Sequence, residues 1–239
     1  MHHPILRDRI KDPFDSFFRN FKPSDLDARM KAQGAAQDWR FTDAQIEASR
    51  ASFIGPMAGA DLWVFAYGSL MWDPAIRFAE VRRARIQGYS RSFCLKDTFG
   101  ARGTADAPGL MAALDEGGQC DGLAFRIASH HVEEESAVLW RRELVGPAYL
   151  PLLRGIETGH GPVEALIFAA DRSAPVICPD ISRDDQIRYI ATGEGFLGTS
   201  LQYLENIVAQ FAALGIEDRT VSQLLEDTIA YKAGLAEAV

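Results

Sequence analysis

A buried strand breaks into a tight loop within Val64-Phe65-Ala66-Tyr67-Gly68-Ser69-Leu70-Met71-Trp72. The apolar run from Leu62 to Ala66 predicts the strand, and Gly68 ends it. Backbone N–H groups just past a strand end lack ladder partners, and a glycine there lets a ligand approach the backbone closely. Ser69 adds a hydroxyl that donates or accepts hydrogen bonds. We therefore expect the loop Tyr67–Leu70 to bind a carboxylate or amide oxygen, although an ordinary strand-to-loop turn has the same short signature.

Composition limits the partners and the compartment of the chain. Its 239 residues are 47% hydrophobic, which suits one domain with an appended segment. The 25 basic residues against 33 acidic ones give a net charge of −8, a poor match to nucleic acid or to an anionic membrane. No apolar stretch reaches the ~20 residues of a membrane span. The cysteines Cys94, Cys120 and Cys178 form no CxxC motif, so we expect reduced thiols and a cytoplasmic protein.

Residues 1–60, called here the N-terminal extension, are polar and broken, and residues 61–239 are expected to form the catalytic domain. Four phenylalanines of the extension recur at helical spacing, which predicts a short amphipathic helix that docks on the body: Phe14, Phe17, Phe18 and Phe21. A capping box from Thr42 to Gln45 predicts that a second helix begins there. We interpret the extension as a packing element, with binding to a partner as the alternative.

The body shows strands first and helices after, which favours an α+β fold over a doubly wound sheet. Strand-like runs lie at Leu62–Ala66, Arg82–Gly88, Arg91–Leu95, Leu110–Leu114, Gly122–Ile127, Tyr149–Leu153 and Val163–Ala169. Helices are predicted over His131–Glu143, after the cap at Ser182, from the capping box at Thr199 to Leu214, and from about Thr220 to Ala233.

Glu143 is the strongest candidate for chemistry. It lies one helical turn after Leu139 and Trp140 and therefore shares their inward side. Desolvation and the negative end of the helix dipole should both raise the pKa of its carboxyl, as a general base working near neutral pH requires. Arg141 and Arg142 would oppose this if they turned toward it, and a solvated glutamate in a salt bridge is the alternative.

Several separated motifs resemble, in order and approximate spacing, those of the ChaC-like γ-glutamylcyclotransferases. The resemblance runs from about Trp63 to Leu225. It is carried by Phe65–Trp72, Gly88-Tyr89-Ser90-Arg91-Ser92-Phe93, Arg102-Gly103-Thr104, Leu139-Trp140-Arg141-Arg142-Glu143, Tyr149-Leu150-Pro151, Leu197-Gly198-Thr199 and Gln202-Tyr203-Leu204. It implies a small mixed barrel-like sheet surrounded by helices.

The resemblance also implies an activity, the cleavage of glutathione to 5-oxoproline and cysteinylglycine without metal or other cofactor, by a monomer or weak homodimer. Glu143 matches the catalytic glutamate of the family, and the Tyr67–Leu70 loop would hold the γ-glutamyl group. Tyr149 and Tyr203 match tyrosines near the site, with core packing as the alternative. Arg102 would pair with a substrate carboxylate unless it is simply solvated.

Two other readings stay open, a cyclotransferase for γ-glutamylamines or other γ-glutamyl dipeptides and a γ-glutamyl-binding module without activity. The chain departs from the family at Ser200, where asparagine is common, and at Cys94-Leu95-Lys96, where an aromatic residue and glutamine occur in some members. Because of the second departure, the identity of the leaving group stays open.

One motif, called here the decoy motif, resembles a dinucleotide-binding loop but lacks its structural context. Residues 193–198 match the glycine spacing of a dinucleotide-binding loop, but they follow a predicted helix, whereas that loop must follow a strand. We therefore expect no nucleotide there, and no cluster of cysteine and histidine has the spacing of a metal site.

Overall fold

The computed structural model describes Leu6 and residues 8–237, and at its centre lies a closed barrel of five strands. The strands are β1 Leu62–Ala66, β2 Glu80–Asp97, β3 Gly109–Ile127, β4 Tyr149–Thr158 and β5 Val163–Ala170. Their order around the barrel is β1-β3-β2-β4-β5, and β1 closes the barrel by pairing in parallel with β5. The neighbouring pairs β1–β3, β2–β3, β2–β4 and β4–β5 are antiparallel. The predicted α+β fold with a small mixed barrel is therefore confirmed.

Strands β2 and β3 correct the sequence prediction, which divided each of them into two. The register of the pair shifts between Gln87 and Tyr89, where Gly88 on β2 faces Gly117 and Gly118 on β3. All three glycines have positive φ, so the local signal of a turn was real. The chain forms a β-bulge there instead of ending, because pairing resumes on both sides and the bulge bends two long strands around the barrel.

Six α-helices surround the barrel within the described residues: α1 Asp27–Ala32, α2 Asp43–Ile54, α3 Val132–Glu143, α4 Arg183–Thr192, α5 Ser200–Leu214 and α6 Arg219–Glu237. The predicted caps are confirmed at Thr42, Ser182 and Thr199, each of which accepts a backbone hydrogen bond from the third residue on. Among the described helices, none combines the length and the apolar character that crossing a membrane requires.

The N-terminal extension departs from the predicted amphipathic helix. Residues 13–15, 17–19 and 23–26 form separate 3₁₀ turns, and the side chains of Asp12 and Ser16 cap the first two. Each cap starts a new short turn, so the helical spacing of the phenylalanines never becomes one α-helix. Phe21 is buried, whereas Phe14 and Phe17 are exposed.

The extension docks on helix α3 through buried charges and one tryptophan. Glu135 is fully buried and accepts hydrogen bonds from the guanidinium groups of Arg19 and Arg77. Trp140 is also fully buried; its indole N–H donates to Ser49 at 3.1 Å, and its ring centroid lies 5.3 Å from that of Phe53. Because a buried carboxylate needs compensating donors, Glu135 fixes the extension against the helix that ends at Glu143.

The glycines of the decoy motif have a packing role. Gly193 ends α4, and Gly195 lies in β6 Glu194–Gly195, which pairs with β7 Gly198–Thr199. A Cβ atom on Gly193 would overlap the Cα of Gly109 and stand 2.7 Å from the carbonyl oxygen of Tyr189. The motif follows a helix, as predicted, and these glycines let three backbone segments pack together.

We predict that Gly193→Ala destabilises the protein by about 1–3 kcal/mol, the usual cost of overpacking against backbone that cannot move away. Gly234→Ala is the matched control, because a Cβ there meets nothing within 4 Å and α6 gains helix propensity. Thermal melts of the two variants measure the difference. Equal melting temperatures for Gly193→Ala and the unmodified protein would contradict the packing role.

Candidate active site

A cavity of about 420 Å³ opens at one end of the barrel, where the loop after β1 meets the end of α3 and the start of α5. Four of the predicted site residues line it: Ser69, Glu143, Tyr149 and Tyr203. Its volume falls within the ~300–1,000 Å³ of small-molecule sites. The fold therefore brings together residues that are up to 134 positions apart in the chain, from Ser69 to Tyr203.

The Glu143 carboxyl is set for proton transfer. It is the last residue of α3, and its side chain is only 14% exposed. Burial raises its pKa above the ordinary value, while the neighbouring Arg142 pulls in the opposite direction. The carboxyl touches the guanidinium of Arg142 at 2.9 Å and otherwise borders the cavity. A buried carboxyl with one cationic neighbour and an open side can accept a proton from a ligand and return it.

Arg142 is the residue whose role the sequence analysis missed, since it was considered only as a charge that would perturb Glu143. Its guanidinium is almost fully buried and donates to Ser69 Oγ at 2.8 Å and to the carbonyl oxygen of Asp73. One cation therefore joins the loop after β1 to the end of α3. The available signal was an arginine directly beside a candidate base, but the loop that it reaches is distant in sequence.

Arg91 holds the same loop from the other side. Its Nε donates to the carbonyl oxygen of Tyr67 at 2.7 Å, and its guanidinium also contacts the Asp218 carboxylate and the ring of Phe211. Arg91 occurs in one of the motifs that carry the family resemblance, yet no local pattern predicts which backbone carbonyl it will reach.

A second buried carboxyl borders the cavity, but its oxygens already accept hydrogen bonds from the protein backbone. Asp97 accepts hydrogen bonds from the backbone N–H groups of Phe99, Arg102 and Gly103. Burial raises the pKa of Asp97, and these donors partly offset the rise. Because its oxygens shape the loop 97–103, Asp97 is less suited than Glu143 to exchange a proton with a ligand.

Three tyrosines surround Glu143 and remain neutral hydrogen-bonding groups. Burial holds the pKa of Tyr67 and of Tyr149 well above the ordinary value, and it raises the pKa of Tyr203 to about 12. Tyr67 donates to the carbonyl oxygen of Phe168 at 3.2 Å. Neutral hydroxyls in a buried site can donate to an oxygen on which negative charge develops.

The other predicted residues lie behind the cavity wall. Tyr67 and Leu70 are buried, and Gly68 has an extended φ of −127°. Arg102 stacks its guanidinium 5.1 Å from the centroid of Tyr203 and donates to the carbonyl oxygen of Thr199. Its predicted pairing with a substrate carboxylate stays a prediction.

The reason for a glycine at position 68 is visible in its neighbour. A Cβ on Gly68 would stand 2.7 Å from the hydroxyl oxygen of Tyr203 and 3.8 Å from the ring carbon that carries it. The glycine therefore makes room for Tyr203, whose ring also contacts Trp72 and Phe93. Among the described residues, no group of three or more histidine, cysteine, aspartate or glutamate side chains is placed to hold a metal ion.

The chain is similar in sequence and in fold to known proteins. Residues 62–231 match the family model described as ChaC-like protein. A glutathione-specific γ-glutamylcyclotransferase of Escherichia coli K12 is 38% identical over 74% of this chain and 75% of its own length. Glutathione-specific γ-glutamylcyclotransferase 1 of Danio rerio is 31% identical over 66% of this chain and 83% of its own. A crystal structure of a yeast γ-glutamylcyclotransferase specific to glutathione superposes with a TM-score of 0.65 at 19% identity, covering 72% of this chain and 97% of that one.

We predict that Gly68→Ala destabilises the unmodified protein by about 1–2 kcal/mol through overpacking. In a Tyr203→Phe background the cost should nearly disappear, because the colliding atom is the hydroxyl oxygen and the ring carbon is at ordinary contact distance. Denaturant unfolding of the four proteins gives the coupling energy. Additive effects of the two substitutions would show that Gly68 is not needed to accommodate Tyr203.

Proposed function

The chain belongs to the family of ChaC-like proteins, and we propose that it is a γ-glutamylcyclotransferase that cleaves glutathione to 5-oxoproline and cysteinylglycine. The observation that carries the proposal is the Glu143 carboxyl, which lines the cavity beside Arg142 with a pKa raised by burial. The names of the Escherichia coli and Danio rerio relatives support glutathione as the substrate.

The reaction needs one group that moves a proton twice. The free α-amine of the γ-glutamyl group attacks its own γ-carbonyl carbon, which closes a five-membered lactam and breaks the amide bond to cysteine. Glu143 removes one proton from the α-ammonium, which frees the amine to attack, and delivers that proton to the departing nitrogen of cysteine. The second proton that the attacking nitrogen loses as the lactam forms passes through the same carboxyl to the released amine, which leaves as an ammonium. The attack is intramolecular, so the protein contributes chiefly by holding the bent conformer in which the two atoms meet.

The surrounding groups hold the γ-glutamyl group in that conformer. Of the loop Tyr67–Leu70, Ser69 lies on the cavity wall, is oriented by Arg142 and meets the oxygens of the γ-glutamyl group. Tyr149 and Tyr203 donate from neutral hydroxyls to the carbonyl oxygen as it becomes negative. Arg102, stacked on Tyr203, supplies a positive charge behind that ring.

A reducing, cytoplasmic setting suits this chemistry, since glutathione is a thiol. The three cysteines form no disulfide, and burial raises the pKa of Cys94 and of Cys120 to about 11. Thiols that stay protonated are poor nucleophiles, so neither Cys94 nor Cys120 is suited to attack the substrate.

We predict that Glu143→Gln lowers turnover by the ~10²–10⁴-fold that a general acid–base contributes. The affinity for glutathione should stay within about tenfold, because the amide keeps the shape of the carboxyl. Release of 5-oxoproline measures the first quantity, and calorimetry with glutathione measures the second. Turnover that survives in this variant would remove Glu143 from the mechanism and favour another proton acceptor.

A second prediction concerns pH. Glu143 must be ionised to act as a base, so kcat/KM should fall as the pH drops through its raised pKa. Arg142 lowers that pKa, and Arg142→Met should therefore shift the acid limb of the profile to higher pH.

Two variants make this test specific. Arg142→Lys keeps the positive charge, so the acid limb of its profile should lie close to that of the unmodified protein. Arg141→Met is the matched control, because the Arg141 guanidinium turns away and its Nε donates to the carbonyl oxygen of Phe21. An acid limb that stays in place in Arg142→Met would show that Arg142 does not set the ionisation of Glu143.

A further inference from the structure

The N-terminal extension supplies a wall of the same cavity. Phe17, Phe18, Phe21, Met30 and Trp39 line it, opposite the barrel. These residues precede position 62, where the match to the family model begins. The wall therefore lies outside the part of the chain that the family model matches.

The wall is a cluster of aromatic rings. The centroid of Phe17 lies 5.3 Å from that of Phe18, 5.4 Å from that of Phe21 and 6.2 Å from that of Phe196, which follows β6. Phe21 is 5% exposed, so it is the base of the cluster, whereas Phe17 is 53% exposed. A half-exposed ring on a cavity wall leaves one face open to a ligand.

Contacts with α3 hold the wall at a fixed position relative to Glu143. Arg19, between Phe18 and Phe21, is buried and paired with Glu135, and Arg141 donates to the carbonyl oxygen of Phe21 at 3.2 Å. The ring centroid of Phe18 lies 4.2 Å from the guanidinium of Arg142. The aromatic surface thus begins directly beside the pair Arg142–Glu143.

We propose that this wall binds the side chain of the residue that follows the γ-glutamyl group, with Phe17 as a specificity-determining residue for a sulfur-bearing or apolar side chain. The inference rests on the proposed function, which places the γ-glutamyl group against Ser69 and Glu143. The next residue is bonded to the carbonyl that reacts, so its side chain must lie next to that pair, where Phe18 and Phe17 begin.

The chemistry of the wall selects the ligand. Aromatic rings favour contacts with sulfur and with apolar groups. The extension also contributes one carboxylate to the cavity, Asp38, while the cations Lys96 and Arg142 line it from the barrel and from α3. The rings themselves therefore carry the preference, and the side chain of a cysteine residue fits them.

The kinetic test compares two exposed phenylalanines of the extension. Phe17→Ala should raise KM for glutathione about three- to tenfold, the range expected for a lost sulfur–aromatic contact, with kcat little changed. For the analogue with serine in place of cysteine the rise should be smaller. Phe14→Ala is the matched control, because Phe14 is 66% exposed, packs near Arg19 and is not part of the cavity wall. Equal KM changes in both variants, or equal changes for both substrates, would overturn the proposal.

A binding measurement separates this inference from the proposed function. Hydrogen exchange of Glu143→Gln with added glutathione should show protection of residues 17–21 as well as of residues 67–70. Protection of residues 67–70 alone would show that the wall does not bind the substrate and would leave the proposed function unaffected. An unmodified protein that binds glutathione with protection of residues 17–21 but releases no 5-oxoproline would keep the wall as a binding surface and refute the proposed function. Absence of any protection would also show that the wall does not bind the substrate.

Discussion

Arg142 holds three parts of the chain in one geometry. Its guanidinium contacts Glu143, the hydroxyl of Ser69, the carbonyl oxygen of Asp73 and the ring of Phe18. The planar fork of an arginine satisfies such a set, and a lysine could reach only part of it. Because a buried cation that loses its partners is strongly destabilising, the loop after β1, the end of α3 and the extension adapt to this one group. The same charge limits how far burial can raise the pKa of Glu143.

Local signals in the sequence were sufficient where the structure itself is local. Strand β1 has the predicted limits, and the caps at Thr42, Ser182 and Thr199 begin the predicted helices. Helical spacing placed Glu143 on the side of Leu139 and Trp140, both of which are fully buried, and the family resemblance then favoured it as a base over a solvated glutamate. Four predicted site residues line one cavity, although the spacing of their motifs gives no distance between them.

What the sequence could not give depends on contacts between distant segments. A glycine with positive φ looks the same in a turn and in a bulge, so the predicted strands ended falsely at Gly88 and, before Gly117, at Leu114. The phenylalanines of the extension have helical spacing, but the caps at Asp12 and Ser16 favour 3₁₀ turns. Gly68 was expected to admit a ligand, whereas its nearest constraint is the hydroxyl of Tyr203, 135 positions later.

The ion pair between Arg19 and Glu135 also has a consequence for biosynthesis. The two residues are separated by 116 positions, so the aromatic extension leaves the ribosome well before its docking helix exists. At the usual rate of synthesis the interval is on the order of ten seconds. During it, four phenylalanines within eight residues are without their partners, a nascent segment of the kind that chaperones shield from aggregation. The wall of the cavity is synthesised early, yet it can take its place only after α3 has been made.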